Sequence, residues 1–172
     1  MIKLIGALLI IGASTMYGFY RASSYAERPR QIRQLIHAVN RLATEISYGS
    51  TPLPDALDKL SHQLHRPLDR MFQEAAIRLR RERNATVRQV WQETVDRYWA
   101  LTAMKSPEKE AFIELGSTLG VSDRENQLKF LELAKHQLQH EEAAAREEQM
   151  RFEKLSRTLG VLGGALIVIL IY

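Results

Sequence analysis

Two uncharged, apolar stretches bracket this chain, and they limit its architecture more than any motif between them. Residues 4–20 carry no charge and are dominated by Leu, Ile, Ala, Gly and aromatic side chains. A helix formed there is apolar on every face and belongs in lipid. At 1.5 Å per residue it covers roughly 25 Å, a little less than a hydrocarbon core, and Lys3 and Arg21 stand where they can snorkel to either interface. Residues 158–172 are also uncharged, rise to an aliphatic run ending at Ile171, and close on Tyr172, a fitting interface anchor. This second stretch is shorter than a usual span, but the polar helix before it has no Pro or Gly until Gly160, so one continuous helix can run into a bilayer. The alternative is a buried C-terminal core helix.

Charge orients the two segments. Arg28, Arg30 and Arg33 follow the first, and Arg146, Arg151, Lys154 and Arg157 precede the second, whereas only Lys3 and the terminal amine lie on the other side. Basic residues beside a span tend to stay in the cytoplasm. The expectation is therefore a transmembrane helix over 1–20, a cytoplasmic helical bundle with a C-terminal stalk over 21–157, and a second transmembrane helix over 158–172. The same arginines argue against cleavage after Ser24-Tyr25-Ala26, which mimics the end of a secretory signal.

The middle segment suffices for one core and is short for two. With no Cys there is no disulfide framework, thiol nucleophile or thiolate metal site. The net charge of +4 is spread over interleaved acidic and basic residues, which suits anionic lipid near a membrane better than a nucleic-acid surface.

Helical periodicity runs through the whole middle segment, so the fold class is all-α, a six-helix bundle. The first helix begins near Pro29 and sets Ile32, Leu35, Ile36, Val39, Leu42, Ala43 and Ile46 on one face, ending at Tyr48-Gly49-Ser50. A short second helix after Thr51-Pro52 faces inward with Leu53, Leu57, Leu60 and Leu64 and stops before Pro67. The third carries Leu68, Met71, Phe72, Ala75, Ala76 and Leu79, and the fourth Val87, Val90, Trp91, Val95 and Tyr98. Ser106-Pro107 reads as an N-cap and first turn for a fifth helix with Ala111, Phe112, Leu115 and Leu119, ended by Gly120. Ser122 and Glu125 form a capping box for the sixth. Its seam of Leu128, Leu131, Leu138, Ala145 and Phe152 is interrupted by Lys135, Glu142 and Gln149. Its far half therefore reads as a stalk, with residues 141–154 pairing three and four apart.

Little in the chain carries chemistry. His136 and His140 lie one helical turn apart beside Glu141 and Glu142, but no HExxH or paired ExxH pattern supplies the remaining ligands, and exposed polar histidines explain them as well. His62 and His65 suit the dipole of a helix C-terminus. No Gly-rich phosphate loop exists, and pairs such as Glu45 with Asp55 or Asp123 with Glu125 are explained by capping and turns. Neither an enzyme nor a cofactor is expected. The dense run Arg78, Arg80, Arg81, Arg83 and Arg88 is either a solvated turn or a contact for acidic lipid or protein. Trp91, Tyr98 and Trp99 belong in or beside the core. In the apolar ends, Ser14 with Gly18 and Gly160 with Gly164 are small residues four apart, suited to close helix packing or to a homo-oligomer.

Glu27-Arg28-Pro29-Arg30-Gln31-Ile32-Arg33-Gln34-Leu35, Glu45-Ile46-Ser47-Tyr48-Gly49-Ser50-Thr51-Pro52-Leu53 and Ala56-Leu57 resemble the stage III sporulation protein AB family. So do Leu119-Gly120, Ser122-Asp123-Arg124, Asn126-Gln127 and the placement of both apolar ends. The helix, Gly49, Leu53 and Ala56-Leu57 order also resembles the cytoplasmic repeat of type II secretion and type IV pilus inner-membrane platform proteins, which have more than one such repeat. The resemblance implies a non-enzymatic platform-like subunit of the channel between mother cell and forespore. It would lie on the mother-cell side of the outer forespore membrane, with a secretion-type ATPase and other membrane components as partners. Docking is expected on the exposed side of Arg28, Arg30 and Arg33 and on the turn bearing Gly49, Pro52 and Leu53; the arginines serve equally as a positive-inside signal. The rival reading is a membrane-anchored helical adaptor or regulatory protein for another soluble partner.

Overall fold

The computed structural model describes residues 26–48, 51–82, 84–120 and 123–171. Among these it is entirely helical, with α1 over 26–48, α2 Leu53–Ser61, α3 Leu68–Arg81, α4 Val87–Trp99, α5 Ser106–Thr118 and α6 Arg124–Ile171. Successive helices pack in turn, α2 on α3, α3 on α4, α4 on α5 and α5 on α6.

The helix ends follow from local chemistry. Pro52 precedes α2, and its carbonyl accepts from the amides of Asp55 and Ala56, both at 3.0 Å. The Arg66–Pro67 peptide, just before α3, is cis. Thr86 caps α4 by accepting from the Gln89 amide at 3.2 Å. Four ends differ from the sequence reading: α1 is already helical at residue 26, ahead of Pro29, α2 stops at Ser61 and leaves Leu64 beyond it, and the caps of α5 and α6 are displaced. The N-cap of α5 is Lys105 rather than Ser106, because the Glu108 carboxylate reaches back to accept from the Lys105 amide at 3.0 Å. At the start of α6, Asp123 Oδ1 accepts from the Asn126 amide at 2.8 Å, so Asp123 takes the capping role assigned to Ser122, which lies outside the described residues. Gly120 closes the turn after α5 at φ +78°, a conformation open to Gly and strained for other residues.

The inward stripes match the sequence closely. Ile32, Leu35, Val39 and Leu42 of α1 are buried with Leu57 and Leu60 of α2, Met71 and Phe72 of α3, Phe112 and Leu115 of α5, and Leu131 and Leu138 of α6. Ile36 and Ile46 are half-buried at the rim of the same core. Aromatic rings fill the space between α3, α4 and α5. Trp91 stands edge-on to Phe72 with ring centroids 6.1 Å apart, and its centroid lies 4.8 Å from that of Phe112. Its indole N–H donates to the Phe112 carbonyl at 2.8 Å, which gives a buried donor its partner. The indole lies against the backbone of α5 at Gly116, where a Cβ would sit 2.0 Å from Trp91 Cδ1; glycine is required here for close approach.

Helix α1 is tied to two connections by side-chain amides. Gln34 Oε1 accepts from the His65 amide between α2 and α3, and buried Gln31 Oε1 accepts from the Ala103 amide between α4 and α5, each at 2.8 Å. Each bond satisfies a loop amide that has no helix to serve it.

The α6 backbone is continuous to Ile171, through the second apolar stretch. Residues 1–25 lie outside the described residues, as do the side chains of 159–171. Among the described residues no helix is long and apolar enough to cross a membrane.

Candidate docking surface

Arg28 lies where α1, α5 and α6 meet, with only 11% of its side chain exposed. Its Nε donates to Glu108 Oε1 at 2.7 Å, its Nη1 to Glu148 Oε2 at 2.8 Å and its Nη2 to Glu141 Oε2 at 3.3 Å. Glu108 is fully buried and needs those donors, because an uncompensated ion in a core is expensive. Lys105 Nζ also reaches Glu148 at 2.8 Å. Its hydrogen bond, followed by the charge of Arg28, holds the Glu148 carboxyl below its ordinary range against a desolvation effect in the opposite sense. One turn along α1, Arg33 Nη1 donates to Glu142 Oε1 at 2.7 Å.

These contacts alter the reading of the basic segment after the first apolar stretch. Arg28 is an internal clamp, Arg33 is half-exposed but engaged with α6, and Arg30 is exposed with only Glu27 as its partner, at 3.2 Å. They also correct the stalk assigned to the far half of α6. Glu141, Glu142 and Glu148 do not simply pair along their own helix but cross to α1 and Lys105, so α6 remains part of the bundle through Glu148. Glu142 with Arg146 is the four-apart pair that does form there.

The expected docking residues do not form one patch. From Arg30 to Tyr48 the rise along α1 is about 27 Å, which sets the arginines and the turn to α2 at opposite ends of the helix. At the second end Pro52 is exposed, Leu53 is half-buried against the core, Tyr48 is 90% exposed, and Gly49 lies outside the described residues. Next to this end, α1 and α2 enclose a cleft of about 240 Å³ lined by Arg41, Glu45, Ala56, Lys59, Leu60, His62 and Gln63. Sequence reading missed it, since Arg41 and Lys59 look like any solvated helix positions. Of the small residues, Ser14 and Gly18 lie outside the described residues; Gly160 and Gly164 are on the α6 backbone, and their surroundings are not described.

Two of the five arginines in the arginine-rich run meet carboxylates. Arg78 donates to Glu82 at 2.6 Å and to Glu93 at 2.7 Å, which raises its own pKa and lowers those of both glutamates. Arg80 reaches Asp55 at 2.8 Å and Asp58 at 3.2 Å. Arg81 and Arg88 are exposed, and Arg83 lies outside the described residues. His136 pairs with Glu132 at 3.2 Å, and His140 is exposed. No group of three potential metal ligands occurs among the described residues.

The stage III sporulation protein AB family model matches residues 3–172. This chain belongs to that family. Stage III sporulation protein AB of Bacillus subtilis (strain 168) is 37% identical over 171 residues, 99% of each chain. A solved structure of stage III sporulation protein AB, 35% identical, matches with a TM-score of 0.69 and covers 73% of this chain and 98% of its own. The family's name ties the chain to sporulation, and both relatives carry that name.

Proposed function

We propose that this chain is a non-enzymatic, membrane-anchored subunit of the sporulation channel between mother cell and forespore, whose bundle is a platform for a secretion-type ATPase. Both apolar ends would lie in the outer forespore membrane, with the bundle on the mother-cell side. The observation that carries this reading is the antiparallel clamp. Arg28 meets Glu141 and Glu148, and Arg33 meets Glu142, so the chain enters α1 and leaves α6 at the same end of the bundle. Two apolar segments leaving one end suit a double anchor in one bilayer. The opposite end, with Tyr48, Pro52 and the α1–α2 cleft, is then turned to the cytoplasm and free for a partner.

The chain has no Cys, so topology can be read with single replacements. In intact cells Asn84→Cys should be shielded from a membrane-impermeant thiol reagent and Tyr172→Cys should react; the reverse pattern rejects the orientation. The detergent-solubilised full chain should co-purify with the ATPase from sporulating cells. Recovery of a different soluble protein in its place would favour a membrane-anchored adaptor.

A further inference from the structure

The α1–α2 cleft has a chemistry of its own. Its floor is apolar, made by Ala56 and Leu60, both almost wholly buried. Its rim carries exposed Arg41, Lys59, His62 and Gln63 together with half-buried Glu45. Among the described residues several cations are neutralised: Arg28, Arg33, Arg78, Arg80 and Arg97 each meet a carboxylate within 3.4 Å. The side chains of exposed Arg66, Arg70, Arg81 and Arg88 meet no carboxylate on the open surface, so what sets Arg41 and Lys59 apart is the apolar cleft they share. Arg41 and Lys59 form no ion pair with any described residue, although Glu45 lines the same cleft. Two uncompensated cations over an apolar floor are complementary to a segment that offers carboxylates around an apolar side chain.

We propose that this cleft is the site where a partner protein inserts a short acidic segment. One apolar side chain would rest on Ala56 and Leu60, and flanking carboxylates would meet Arg41 and Lys59. A lipid surface fits less well, because Arg41 lies about 20 Å along α1 from Arg28, on the side away from the end where both apolar segments leave. The inference rests on the platform reading in taking the occupant to be a protein that approaches the far end of the bundle.

The test uses the full chain in neutral detergent and a fluorescent hexapeptide with two leucines flanked on each side by two acidic residues. Wild-type protein should bind it, bind more weakly as salt rises, and bind far more weakly the counterpart with Asn and Gln in place of the acids. The double variant Arg41→Glu/Lys59→Glu should lose at least about tenfold in affinity, which is 1.4 kcal/mol. Gln63→Trp, which narrows the cleft without altering charge, should lose a similar factor. Arg81→Glu/Arg88→Glu, the same charge change on exposed residues elsewhere, should bind as wild type. All variants should melt as wild type, since every altered side chain is exposed. No binding by wild type, undiminished binding by the cleft variants, or an equal loss in the control pair would overturn the proposal. Peptide binding at the cleft with no co-purified ATPase would instead reject the platform reading and leave the acidic-segment site standing.

Discussion

Helix α5 is held from its two ends by different physics. At its first turn Glu108 is locked by Arg28, which also gathers Glu141 and Glu148 from α6. One and two turns later Phe112 and Gly116 pack against Trp91, with no charge involved. The polar end joins helices far apart in sequence and gives register to α1 against α6, because only one alignment brings a forked guanidinium to three carboxylates. The aromatic end joins α3, α4 and α5, whose order is already set by short connections, and supplies shape rather than register. Buried charges thus decide which elements meet, and tight apolar contact decides how closely.

Three measurements can break or sharpen this contrast. Removing the centre of the polar end should have the largest effect. Arg28→Met leaves Glu108 buried without its partner and should cost about 3–5 kcal/mol, read as a lowered midpoint in chemical denaturation. The double variant Arg28→Met/Glu108→Leu should recover part of that loss; no recovery would mean that the arginine acts through packing alone. Gly116→Ala comes next. A Cβ driven into a hydrogen-bonded indole is overpacking, expected at about 2–3 kcal/mol, and the loss should be the same at low and high salt. A loss that changed with salt would show that the two ends of α5 are coupled.

The smallest effect is the pH dependence. The Glu148 pKa is lowered in the folded state, first by Lys105 and then by Arg28. The unfolded chain therefore takes up the proton first as pH falls. The stability that this group contributes is present in full above the ordinary carboxylate value of about 4.3 and is lost as pH drops through the lowered folded value. Glu148→Gln should flatten that part of the stability profile and leave it unchanged near pH 7 in slope. An identical acid limb in both proteins would assign the acid sensitivity to other carboxylates.

Much of the fold was legible because periodicity is local. Leu35, Leu57, Phe112 and Leu138 fall on apolar stripes three and four residues apart, and all four are buried. The docking surface was far less legible. Arg28 and Arg33 look like solvated basic residues after an apolar stretch, and Glu141 and Glu142 look like an exposed charged face; each assignment omits the other pair. Glu108 reads as an ordinary first-turn acid, and nothing near it in sequence announces that it is fully buried.

The order of amino acids by itself determined the helical class, the stripes that make the core, most helix ends and the family, because each depends on residues within a few turns of one another or on motifs read directly. Tertiary structure alone decided that Arg28 closes a ring with glutamates 80, 113 and 120 residues away. It also decided that α6 stays on the bundle through Glu148, and that Arg41 and Lys59 flank an apolar cleft. The physical reason is that a charge carries no record of its partner in its own neighbourhood. Its energy depends on distance and burial, and both are fixed only when helices distant in sequence have packed.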